Sequence, residues 1–197
     1  DRYLSGTLRI HNKTITLEES HIVNSLMEEA IASSILEGAA TTRKNAKEML
    51  RKGKKPKNNA ERMVLNNYEA MRFIREKKEK PLSPGFILEI HQIVTRGTID
   101  DAAVGHFRTT NEVVVADSET GLVYHTPPDF SEIEGFIEDL CAFANSDIAG
   151  SKANPVTFIH PVIKGVVLHY LIGYLHPFND GNGRTARSIF YWYVLSR

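Results

Sequence analysis

The chain has a single cysteine, Cys141, among 197 residues. No disulfide can form within it, which excludes the stapled, core-poor fold of small secreted domains. Cys141 falls in an amphipathic pattern with Ile133, Phe136, Ile137 and Leu140 and reads as a small core residue; the compartment expected is reducing, the cytoplasm. Net charge is absent too. The 24 Lys plus Arg balance 24 Asp plus Glu, so no overall field draws the chain to nucleic acid or to an anionic membrane. No apolar run is long enough to cross a bilayer; the longest, Gly165 to Phe178, is interrupted by His169 and His176. There is no internal repeat, no low-complexity tract and no recognisable signal peptide. The chain starts at Asp1 without an initiator Met, and a helical pattern runs to Arg197 with no stop signal. We therefore expect the natural chain to continue beyond Arg197.

Hydrophobic residues make up 42% of the chain, enough for one domain with a substantial core. Asp1 to Lys13 reads as an extended or irregular lead-in, and Thr16 with Glu19 suits a capping box. Ile22, Val23, Leu26, Met27, Ala30, Ile31 and Ile35 then recur at helical spacing up to Gly38. The basic stretch Arg51 to Lys57 contains Gly53 and Pro56, lacks interleaved aromatics and reads as a solvated connector. Met63, Leu65, Tyr68, Met71, Phe73 and Ile74 mark a helix ending near Lys80-Pro81. Ser83-Pro84 opens another, with Phe86, Ile87, Ile90 and Ile93 expected inside. From Glu112 to His125 the pattern is that of a β-hairpin: Val113, Val114 and Val115, a turn over Asp117 to Gly121, then Leu122, Val123 and Tyr124. Ser131 to Ala144 is helical again, and Asn154-Pro155 is expected to open a long helix reaching His176. The fold class expected is mainly α, a helical bundle with one hairpin.

The densest chemistry lies in His176-Pro177-Phe178-Asn179-Asp180-Gly181-Asn182-Gly183-Arg184-Thr185-Ala186-Arg187. Gly181 and Gly183 let a backbone approach a ligand closely. A helix follows, and its N-terminus offers free N–H groups and partial positive charge to a phosphate. Arg184 and Arg187, three apart, lie on one helix face and suit phosphate oxygens. Asp180 is a hard ligand suited to Mg²⁺, and His176 is a proton acceptor near neutral pH. A zinc site from His169, His176 and Asp180 is the alternative, but it leaves Asn182, the glycines and the arginines without a use.

This run resembles the signature of the Fic family, H-x-F-x-[DE]-G-N-G-R-x-x-R, at every fixed position. Gly105-His106-Phe107-Arg108 is similar to the family's G-x-[FY]-R turn before its β-hairpin flap, and Tyr124 to Pro128 to the proline-bearing exit from it. The resemblance implies a helical core over 58–197 with the signature between two central helices, preceded by an N-terminal segment, 1–57. It implies transfer of AMP from Mg·ATP to a Ser, Thr or Tyr hydroxyl of a target protein, the chain itself included. By position, His176 would be the general base, Asp180 would hold Mg²⁺, and Gly181, Asn182 and Gly183 would form an anion hole. Arg184 would hold the β-phosphate, Arg187 the γ-phosphate, and Phe178 would anchor the loop. Val113, Val114, Val115, Leu122, Val123 and Tyr124 would form the flap that aligns the target by strand addition. Doc-type kinases carry Lys where this chain has Gly183, which favours AMP transfer here.

Ser33, Glu37 and Gly38 match the family's inhibitory motif, [ST]-x-x-x-E-[GN], near the end of the first helix. Glu37 would pair with Arg187 and displace the γ-phosphate. The plainer alternative is a surface glutamate before a glycine cap. Other functions left open are removal of AMP, transfer of another phosphodiester group, and a regulatory nucleotide-binding module; a DNA-associated regulator is suggested only by the basic stretch Arg43 to Lys57.

Overall fold

The computed structural model describes residues 7–10, 13–16, 19–117, 119–146 and 159–197, with side chains described from Val23 onward. Two strands, β1 (Thr7–Ile10) and β2 (Lys13–Thr16), form an antiparallel hairpin. The lead-in is therefore a second hairpin beside the one expected. Thr16 closes β2, and α1 (Glu19–Leu36) is described from Glu19. A helix absent from the sequence reading follows, α2 (Arg43–Lys52), so the basic stretch is helical through Lys52. Thr42 caps its start by accepting from Asn45 N–H, and Gly53, at φ 59°, ends it in the left-handed conformation.

Capping chemistry sets the next two starts as well. The Asn58 side chain accepts from Glu61 N–H at α3 (Asn59–Glu76), and Ser83 from Phe86 N–H at α4 (Pro84–Thr95). In α4, Phe86, Ile87, Ile90 and Val94 are buried, whereas Ile93 is only half-buried. The hairpin of β3 (Val115–Ala116) and β4 (Val123–His125) comes next and is shorter than the expected span. Then come α5 (Ile133–Asn145), α6 (Pro161–Leu175) and α7 (Asn182–Leu195). The long helix opens at Pro161, six residues later than Pro155. Its cap is His160, whose Nδ1 accepts from Val162 N–H at 3.3 Å; Asn154 and Pro155 lie outside the described residues.

The antiparallel pair α6 and α7 sits at the centre. Gly165 lets them approach, since a Cβ there would stand 3.0 Å from the Phe190 ring. Around this pair Phe86, Ile90, Ile137, Leu168, Ile172, Phe178, Ile189 and Trp192 form the main core, and Cys141 belongs to it. Ile31, Ala46, Met49 and Val64 form a smaller one that joins α1, α2 and α3. Burial of this kind stabilises by roughly 1.5–3 kcal/mol per large apolar side chain, so α1 is held firmly on α3. Its far end lies beside α7, which carries the signature loop. Among the described residues no helix is long and apolar enough to cross a membrane.

Candidate functional site

The loop between α6 and α7 brings the signature residues together. Helix α6 ends on His176, whose φ of 46° makes it the one non-glycine residue with positive φ among those described. Its N–H closes the helix on Ile172 O at 2.9 Å. Its ring Nδ1 lies 3.0 Å from Gly173 O. A carbonyl only accepts, so Nδ1 carries the proton and Nε2 keeps its lone pair. Burial holds the His176 pKa below the ordinary histidine value, outweighing the Gly173 hydrogen bond. The imidazole is thus neutral at pH 7, with its basic nitrogen available.

Phe178 is fully buried and stacks on His91, ring centroids 3.7 Å apart and 5° from parallel. Asn182 closes the loop. Its Oδ1 accepts from Phe178 N–H at 2.9 Å, and its Nδ2 donates to Phe178 O at 2.8 Å. The Asn182 amide was expected in the anion hole; it is used inside the loop, and the Asn182 backbone N–H is what remains for a ligand. Gly181 has φ 81° and precedes α7 without a side-chain cap. A Cβ at Gly181 would overlap Thr95 Cγ2, and one at Gly183 would overlap Glu37 Oε1. Gly181 is demanded by space and by its positive φ, whereas at Gly183 the near atom is the tip of the flexible Glu37 side chain. The first N–H groups of α7 are left for an anion.

Asp180 is exposed, with its side chain 58% accessible. Its Oδ1 accepts from Gly181 N–H and, at 3.3 Å, from Arg184 Nη2. One carboxylate oxygen beside an uncapped helix start fits Mg²⁺, which is held by one or two carboxylates together with substrate phosphates. The zinc alternative does not fit. Among the described residues no group of three His, Cys, Asp or Glu side chains could hold a metal ion, so His169, His176 and Asp180 do not converge.

The two arginines diverge rather than share a partner. Arg184 is buried, donating from Nη1 to Val94 O at 2.8 Å and Thr98 Oγ1 at 3.2 Å. Arg187 turns to the end of α1. Its Nε donates to Ser33 Oγ at 2.8 Å and its Nη2 to Glu37 Oε1 at 2.6 Å. Gly38, at φ 84°, terminates α1, with Gly38 N–H on Ile35 O and Ala39 N–H on Ser34 O, both at 3.0 Å. The glycine cap and the paired glutamate therefore coexist. Asn67 of α3 fixes this end, donating from Nδ2 to the buried Ser34 Oγ at 2.8 Å.

The flap lies over the other side of His176. Val115 pairs with His125 and Ala116 with Val123, while Val113, Val114 and Leu122 fall just outside the strands. Val114, Leu122, Val123 and Tyr124 are exposed. Asp117 shapes the turn, accepting from Thr120 N–H at 2.7 Å and Glu119 N–H at 3.0 Å. His125 Nε2–H donates to Tyr174 O at 2.7 Å, two residues before His176.

Two residues carry more of this site than sequence reasoning gave them. His91, buried on α4, accepts from Gly105 N–H at Nδ1 (3.0 Å) and donates from Nε2 to Asp180 O (2.9 Å). The available signal was one titratable residue on the apolar face with Ile87, Ile90 and Val94. Arg108, read only as part of a turn, is buried against His176. By contrast His160 caps α6, and His169 is a half-buried helix residue.

Comparisons with known proteins bear on the family and the fold. The chain is 33% identical over 127 residues to the protein adenylyltransferase Fic of Nematostella vectensis, covering 63% of this chain and 26% of that protein. It is 34% identical over 101 residues to the protein of the same name in Drosophila willistoni, covering 51% and 17%. The matched stretches thus span about a quarter or less of those relatives. Among solved structures, a Fic domain-containing signaling protein from Bacteroides thetaiotaomicron superimposes with a TM-score of 0.73 at 25% identity, over 89% of this chain and 65% of that one. Fic-1 of C. elegans has the same fold, with a TM-score of 0.61 at 22% identity over 89% and 56%. Residues 81–194, more than half of the chain, match the Fic/DOC family, and with the complete signature loop in place the chain belongs to that family.

Proposed function

We propose that this chain transfers the AMP part of Mg·ATP to a Ser, Thr or Tyr hydroxyl of a target protein, and that Glu37 restrains it. The observation that carries the reading is the state of His176: neutral, with Nδ1–H committed to Gly173 O and Nε2 left as the basic nitrogen, in the loop that leads to an uncapped helix start. His176 Nε2 takes the hydroxyl proton as that oxygen attacks the α-phosphorus, and pyrophosphate leaves. Backbone N–H groups of Asn182 and Gly183 would face the charge that builds on the phosphate, while that of Gly181 is held by Asp180 Oδ1. Mg²⁺, held by Asp180, would neutralise the phosphates. Arg184, whose Nη2 donates to Asp180 Oδ1 at 3.3 Å, would hold the β-phosphate. Arg187 is the γ-phosphate contact once Glu37 releases it. The free, buried Cys141 suits a reducing, cytoplasmic setting.

A second reading is removal of AMP, favoured by the Glu37 carboxylate lying against Gly183, where it could orient a water. One experiment separates the two. Lysate and the chain are incubated with ATP labelled at the α- or the γ-phosphate, using wild type, Glu37→Gly and Glu37→Gly/His176→Ala. Protein-bound label from the α-position alone, increased in Glu37→Gly and lost in the double variant, supports AMP transfer. Label from the γ-position overturns it. Loss of pre-attached AMP that requires Glu37 favours removal.

A further inference from the structure

Arg108 joins three parts of the site that the chain reaches separately. Its backbone N–H donates to Pro177 O at 2.9 Å. Its Nε donates to His176 O at 2.9 Å. From Nη1 it reaches the entry to the flap, at Thr110 O (2.8 Å) and Asn111 Oδ1 (3.1 Å). From Nη2 it reaches the exit, at Pro128 O. Asn111 completes the ring, since its Oδ1 also accepts from Phe130 N–H at 2.8 Å and its Nδ2 donates to Asp129 Oδ2 at 2.5 Å. The side chain is 3% exposed and has no direct carboxylate partner among the described residues. A buried guanidinium bonded to carbonyl groups is costly to hold unless its geometry is used.

We propose that Arg108 is a positioning residue that locks the flap and the His176 backbone into one unit, so that the base and the strand presenting the target hydroxyl keep a fixed relation. This rests on the AMP-transfer reading for its catalytic consequence, but not for its structural one. His176 is held at both backbone ends, N–H on Ile172 O and O on Arg108 Nε. That grip sets the direction of its ring, and hence whether Nδ1–H finds Gly173 O and Nε2 stays basic. Arg108 touches neither the helix start nor Asp180, so nucleotide binding is spared. Positioning errors of an ångström between reacting groups lower rates by about 10²-fold. Lysine cannot substitute, because three donors on one nitrogen do not span the His176, Thr110 and Pro128 carbonyls.

The test is Arg108→Lys in the Glu37→Gly background, with three measurements: calorimetric Mg·ATP affinity, transfer of α-label to protein, and the His176 tautomer from long-range ¹H–¹⁵N spectra of the imidazole. The expected result is affinity within threefold of the parent, transfer lower by about 10–100-fold, and a His176 signal moved from the Nδ1–H tautomer toward a mixture. Transfer within threefold of the parent, or an unmoved tautomer, overturns the proposal. If the Glu37→Gly parent itself transfers nothing, AMP transfer fails as the function, while the tautomer still decides the role of Arg108. If Arg108→Lys has no cooperative melt, Asn111→Ala replaces it. This exposed side chain shares the Nη1 bond, so both readouts should move less but in the same direction, and no movement in either overturns the proposal.

Discussion

The Glu37 carboxylate accepts a 2.6 Å hydrogen bond from the Arg187 guanidinium across 150 residues of chain. Both side chains are largely screened, at 25% and 18% exposure, and Ser33 Oγ holds the same guanidinium at Nε. Helix α1 thus occupies the arginine that AMP transfer assigns to the γ-phosphate. Removing the carboxylate should release it. Glu37→Gly is expected to raise auto-modification by α-labelled ATP by about tenfold or more, since alignment of reacting groups is worth several kcal/mol. Arg187→Ala should not activate, because the phosphate contact goes with the inhibitory one. Equal labelling in wild type and Glu37→Gly would remove α1 from the regulation.

His176→Ala should lower transfer by roughly 10²–10⁴-fold and leave Mg·ATP affinity nearly unchanged. The pH profile follows from burial. The His176 pKa lies below its ordinary value of 6.5, and only the neutral ring accepts a proton. The acid limb of kcat/KM should therefore have its midpoint below 6.5, with activity lost as pH falls. A midpoint above that value would mean the ring is not buried as described.

Arg184→Ala and Asp180→Ala should both weaken Mg·ATP binding and should differ in stability. Arg184 is buried on Val94 O, so its loss leaves a carbonyl unpaired and costs about 1–3 kcal/mol of stability. Asp180 is exposed, and its loss should weaken Mg·ATP binding with little change in melting. Unchanged Mg·ATP affinity in Asp180→Ala would dismiss it as the metal ligand.

His91 makes a stability prediction. Burial, first of all, lowers its pKa to about 4 from an ordinary 6.5. Between those values the unfolded chain binds the proton and the folded one does not, so the His91 contribution is complete above 6.5 and is lost as pH falls toward 4. In metal-free protein, denaturant midpoints of His91→Gln should fall less steeply with acid than those of wild type. Parallel slopes would mean that His91 is not held neutral.

The signature loop and the Ser33–Glu37–Gly38 motif were legible because each is contiguous and resembles a family pattern, although the shared face expected of Arg184 and Arg187 was not what formed. The flap was visible through the Val113–Val115 run and the Asp117–Gly121 turn. The missing pieces are contacts between distant segments. Nothing local in Ile87-Leu88-Glu89-Ile90-His91 says that the imidazole will meet Gly105 and Asp180. Asn67 looks like one more polar residue on a helix until Ser34 is brought to it. Helix α2 went unread because its charge obscured Ala46, Met49 and Leu50, the face that packs on α1 and α3. The late start of α6 reflects the same limit, since proline marks an allowed helix start wherever it occurs and does not choose between Pro155 and Pro161.

His176 also stands where helix termination would ordinarily select glycine. At φ 46° an L residue is disfavoured by roughly 1–2 kcal/mol, and most proteins ending a helix this way use a residue without Cβ. The position is therefore contested between folding and the proposed proton acceptor. His176→Gly and His176→Ala both lack the imidazole, but only alanine retains the disfavoured backbone. The glycine variant should melt above the alanine variant by about 1 kcal/mol in stability while being equally inactive. A sequence optimised for durability alone would drift toward glycine at position 176 and lose the proton acceptor in the process.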